Sequence, residues 1–141
     1  MKATKLTENF SLEELCFSST AIRLGFQEDQ ENPSKKVVEN LMYLAGKCLE
    51  PIRAKFGKFS PNSAFRCKKL NDHLGSTDKS FHLIGCAADI NLGTYEKNKK
   101  LFEWIKANME FTELINEYDF KWVHVAIQRG RENEKQIKKI G

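Results

Sequence analysis

The sequence predicts an α+β fold, in which helices pack on a small antiparallel sheet that carries the polar groups of interest. Three observations lead there. Two long stretches, 34–57 and 94–109, repeat their apolar residues at the helical period. Three shorter runs, Cys86–Leu92, Phe111–Tyr118 and Lys121–Ile127, carry the β-branched and aromatic residues of strands. Glycine, proline and asparagine punctuate the boundaries between them.

Taken in order, Ser11-Leu12-Glu13-Glu14 is a capping box and starts a short helix that ends near Phe17. Residues 20–32 read as a surface connection, with Gly25 as a stop and Pro33 before the next start. Ser34 caps a long helix whose Val37, Val38, Leu41, Leu44, Ala45, Cys48 and Ile52 form one apolar face; Pro51 is placed to kink it and Gly57 to end it. Lys58 to Ala64 reads as a strand, and Lys68 to His73 as a short helix stopped by Gly75. A polar loop, 76–81, delivers His82 to the strand 86–92. Thr94 caps the second long helix, with Leu101, Phe102, Ile105 and Met109 inward. Two strands then form a hairpin around Asp119-Phe120.

The 141 residues are read as one domain, 1–141, with residues 128–141 a basic, solvated C-terminal tail. No apolar run approaches the roughly 18–20 residues that cross a bilayer, and Met1 to Leu6 holds no apolar export core. The net charge of +4 is mild and lacks the aromatic-basic interleaving of a nucleic-acid binder, although it suits an anionic polymer such as a cell wall. Cys16, Cys48, Cys67 and Cys86 are scattered, which argues for buried free thiols rather than a disulfide framework or a thiolate metal cluster.

His82 and Asp89 stand seven positions apart, and His124 follows thirty-five positions after Asp89 inside an apolar run. Strand alternation puts Ala87, Asp89 and Asn91 on one face of the first strand, and Trp122, His124 and Ala126 on one face of the last. Taken singly, His124 reads as a satisfied core histidine and Asp89 as the partner of an arginine or of backbone donors. Together, two imidazoles and one carboxylate make a three-ligand Zn2+ site that leaves a position for water.

The pattern Ser80-x-His82-x-x-Gly85-x-Ala87-x-Asp89 with Trp122-Val123-His124-Val125 resembles the zinc D-Ala-D-Ala peptidases, which include carboxypeptidases, dipeptidases and the L-alanyl-D-glutamate endopeptidases of phage endolysins. Asn9 to Leu15, Leu49 to Arg53 and Asn62 to Cys67 look like the short endolysin-type members, so the resemblance spans roughly residues 5–127. It implies zinc on His82, Asp89 and His124 in a fold of that type. It also implies a general base shortly before the second histidine. Lys121 stands three positions upstream, where some members carry the base, and Glu117, seven upstream, matches the strand-end glutamate of the short members. Arg66 is implied to hold the substrate and support the oxyanion, against a plainer role as the ion partner of Asp72 or Asp78. Ser80 is implied to orient a ligand or the substrate. Cys86 is read as packing rather than as a fourth ligand.

The implied activity is a zinc peptidase cutting an amide of the peptidoglycan stem peptide, a monomeric phage or prophage endolysin made without a Sec signal and acting on the wall after release. The alternatives are a D,D-carboxypeptidase or dipeptidase, and a zinc-containing module that binds wall or protein without cutting it.

Overall fold

The computed structural model describes residues 4–141; residues 1–3, where the segment read for an export signal begins, lie outside the described residues. Three short helices open the chain: α1 (Leu12–Cys16), α2 (Ser19–Arg23) and α3 (Gln27–Glu31). Ser11 caps α1 by accepting from the Glu14 N–H. The box is only half formed, because the Glu14 carboxylate bonds Ser60 instead of returning to Ser11. Residues 20–32 are thus more than a connection. Gln30 of α3 is buried and donates to the carbonyls of Cys16 (2.8 Å) and Phe65 (2.7 Å), while its oxygen accepts from the Cys67 N–H. A buried amide with every group paired pins the segment that carries Arg66.

The long helix forms as the periodicity predicts, as α4 (Lys35–Leu44), a π-helical turn (Ala45–Leu49) and α5 (Glu50–Phe56). Pro51 has no N–H and its ring crowds the carbonyl four residues back; the wider π turn just before it removes both conflicts without a break. Leu41, Leu44, Cys48, Leu49 and Ile52 are fully buried, each leucine or isoleucine side chain contributing about 1.5–3 kcal/mol of hydrophobic stabilisation.

Residues 58–64, read as a strand, do not form one. They touch the sheet through a single bridge, Ser63 to Asp89, because Pro61 offers no donor to a longer ladder. After α6 (Lys68–His73) comes a 3-10 turn (Phe81–Ile84), then β1 (Ala87–Ile90), α7 (Tyr95–Asn108), β2 (Glu113–Glu117), β3 (Trp122–Ala126) and β4 (Gln136–Ile140). The sheet order is β1-β3-β2-β4, antiparallel except for the parallel pair β2–β4, so the sheet is mixed. The segment 128–141, read as a solvated tail, thus ends in a paired strand. Its direction follows from the hairpin: β3 finishes beside the start of β2, so a chain returning to the free edge of β2 must run along it. Thr112, fully buried, ties down the connection through its hydroxyl, which donates to the Arg131 carbonyl and accepts from the Gln128 N–H.

One face of the sheet, with Ala88, Ile90, Leu114, Val123 and Val125, joins the core formed with α4, α5 and α7. The opposite face carries Asp89, Glu113, Glu117, Trp122, His124 and Lys138.

Candidate metal centre

His82 is the second residue of the 3-10 turn, which Ser80 caps: the Ser80 hydroxyl accepts from the His82 N–H at 3.2 Å. Gly85 ends the turn at φ +76, and a Cβ there would sit 2.9 Å from the Val37 carbonyl oxygen and 3.1 Å from Leu41 Cγ. Glycine therefore lets the turn press against α4 and hold His82 over β1. Asp89 and His124 are directly opposed across the β1–β3 pair. The three side chains converge, with one ligand atom from each lying within 4.8 Å of the others, and all three are buried.

The hydrogen bonds on the far sides of the rings set what faces the centre. His82 Nδ1 lies 2.6 Å from the Ala64 carbonyl oxygen, which only a donor can satisfy, so the neutral ring carries its proton there and presents the Nε2 lone pair to Asp89 Oδ1 at 3.2 Å. His124 Nε2 lies 2.8 Å from Glu113 Oε1, which likewise leaves Nδ1 facing the same Asp89 oxygen at 3.1 Å. Two ring nitrogens meeting one anionic oxygen need positive charge at the centre, supplied by a proton on the ring or by a metal ion that replaces it. The donor set, two imidazoles and a carboxylate with outward nitrogens fixed, fits zinc.

The electrostatics agree. Burial alone would raise Asp89, but the charge of His82 and the bonds from His124 and His82 outweigh it and hold the carboxyl well below the usual range. Burial works against a proton on His124, yet its bonds to Asp89 and Glu113 raise its pKa: the pocket favours positive charge. Burial would also raise Glu113, and the bonds from His124 and Lys138 overcome it and lower the group.

Glu117 ends β2 opposite Trp122, whose indole N–H donates to Glu117 Oε2 at 2.9 Å; the same oxygen is 3.9 Å from His124 Nδ1. Its pKa is raised, by burial first and then by the charge of Asp89. The hairpin turn that sets this register runs through Tyr118, Asp119 and Phe120, all with positive φ, and Asn98 of α7 holds its carbonyls at Phe120 (2.8 Å) and Lys121 (3.2 Å). Lys121 takes no part in the cluster. Arg66 faces the site and not Asp72 or Asp78, which pair with Lys68. Its Nη2 donates to Asp89 Oδ2 at 3.0 Å and its Nε to Ser63 Oγ at 3.2 Å.

Arg66, His82, Glu113, Glu117 and His124 line a cleft of about 380 Å³ that also includes Ser80, Lys79 and Lys138. Arg66 is shared with a smaller hollow of about 190 Å³ beside Phe17, Ser63 and Leu74. A larger cavity, about 590 Å³, lies away from the cluster on the α4 face around Tyr43 and Arg129. All four cysteines are buried free thiols; Cys86, pushed up to about 11 by burial, is an unsuitable ligand. His73 is exposed at the end of α6.

The family comparison matches residues 8–126 of this chain to Peptidase M15. The chain belongs to the Peptidase M15 family. Its peptidases are zinc-dependent, which agrees with the buried His-Asp-His cluster. A comparison with curated proteins returned no match. Of the residues around the cluster, the sequence reading passed over Glu113, Gln30 and Lys138. Glu113 shares strand parity with Glu117, and that alternation was the available signal; Gln30 sits in a polar run that hides it.

Proposed function

We propose that this M15 peptidase is an endolysin-type endopeptidase that hydrolyses an amide of the peptidoglycan stem peptide. In this reading His82, Asp89 and His124 hold the zinc ion, Glu117 is the general base and acid, and Arg66 stabilises developing charge. The observation that carries it is the convergence of His82 Nε2 and His124 Nδ1 on one Asp89 oxygen, with Glu117 beside them. Zinc bound there supplies Lewis acidity, polarising the scissile carbonyl and lowering the pKa of the attacking water towards roughly 7.

The protein groups divide the remaining work. Glu117 accepts the proton of the attacking water on its carboxylate and returns it to the leaving amine as the C–N bond breaks. Trp122 keeps Oε2 of that carboxylate turned towards the centre. Arg66, oriented by Asp89 and Ser63, offers its planar guanidinium to the carbonyl oxygen as it gains negative charge. Ser80 acts on His82 through the cap rather than on substrate directly.

Two features support an endopeptidase of the wall. A second hollow beside Phe17 and Leu74 shares Arg66 with the main cleft and offers space for more of a substrate than one terminal residue. Lys79, at the rim, gives the main cleft a positive charge suited to the free carboxylates of stem peptides. Mass spectrometry of muropeptides digested by the zinc-loaded protein tests the proposal. Fragments cut within the stem support it, whereas release of only a terminal residue would indicate a carboxypeptidase. Glu117→Gln is expected to lose about 10²- to 10⁴-fold in kcat while keeping its zinc. A binding module would cut nothing and be indifferent to that change.

A further inference from the structure

One row of side chains crosses the cleft face in register: Asp89 on β1, His124 on β3, Ile115 on β2 and Lys138 on β4. Glu113, at the start of β2, links His124 and Lys138 of that row. Lys138 Nζ donates to Glu113 Oε2 at 2.7 Å, and Glu113 Oε1 accepts from His124 Nε2 at 2.8 Å. The β4 strand lies beyond the residues matched to the family, 8–126.

Resting on the metal role proposed above for His124, we propose that Lys138 is a positioning residue for the metal centre, acting through Glu113. A glutamate carboxylate rotates easily about its last bond. With one oxygen held by Lys138, the other stays in place to accept from His124 and fixes which nitrogen faces the ion. Glu113 is largely buried, and without Lys138 its carboxylate would keep His124 Nε2 as its one hydrogen-bond partner among the described residues. Lys138 is itself about half exposed, so its own desolvation is small. Lys139, next along the strand on the opposite face, has no such contact among the described residues and is the natural control. The C-terminal strand is thereby an outer support of the ligand set.

The test is zinc affinity, read by competition with a chromophoric chelator, together with the visible spectrum of the cobalt-substituted protein. Lys138→Met is expected to weaken zinc binding about tenfold and to change the cobalt bands, the lower end of the roughly 10- to 100-fold that follows loss of a metal-bound histidine's own outer partner. Lys138→Arg should stay within about threefold of the wild type and Lys139→Met should match it. In a Glu113→Gln background, which removes the charge that Lys138 balances, adding Lys138→Met should cost nothing further. Equal affinity of Lys138→Met and wild type, an equal loss in Lys139→Met, or an undiminished loss in the Glu113→Gln background would overturn the proposal while leaving the metal centre standing. A wild-type protein that binds no zinc would overturn both.

Discussion

At the level of single residues, the chemistry depends on a few atoms whose neighbours leave them one role. Arg66 is an example: its Nη2 and Nε are each committed to a partner, so the plane of the guanidinium is set before any substrate arrives. Lysine keeps the charge but not the fork. Arg66→Lys is therefore expected to lower kcat/KM about 10²-fold, measured on a purified muropeptide, with zinc content unchanged. Strand parity drew attention to Asp89 and His124 in the sequence, and the family pattern to these two together with His82 and Glu117. Glu113 obeyed the same parity but stood at a strand start, where a glutamate usually faces water. Its importance comes from its contact with His124, which composition cannot reveal.

The elements show why those atoms meet. The 3-10 turn that carries His82 has its start closed by Ser80, and its end, at Gly85, has room only for a residue without a side chain. Gly85→Ala combines left-handed strain with a clash against α4 backbone, so a loss of about 2–3 kcal/mol is expected, read from the urea midpoint of unfolding. Zinc affinity should fall as well, because the turn that relieves the clash also moves His82. Both long helices were legible from periodicity, and the hairpin from two strand-like runs. The π turn was not, because the sequence shows that Pro51 must be accommodated but leaves open whether a kink or a widened turn does it. The strand expected at 58–64 does not form because Pro61 and Asn62 are poor strand residues and a strand also depends on a partner; here only Ser63 and Asp89 pair.

Across the whole molecule, the sheet separates two tasks. Its aliphatic face, packed on α4, α5 and α7, supplies the stability; its polar face gathers the site from β1, β2, β3 and β4. Strand β4 escaped the sequence reading because Gln136-Ile137-Lys138-Lys139-Ile140 has no apolar face and remains largely exposed; its backbone pairing and Lys138 give it a place. The central claim is that His82, Asp89 and His124 share one zinc ion. Titration calorimetry of the metal-free protein with zinc, repeated on Asp89→Asn, tests it most directly, because a neutral amide keeps the shape but removes the only anionic ligand. The expected result is one equivalent bound tightly by the wild type, with affinity reduced at least about 10²-fold in the variant. Wild-type protein that takes up no zinc, or Asp89→Asn that binds it equally well, would contradict the account.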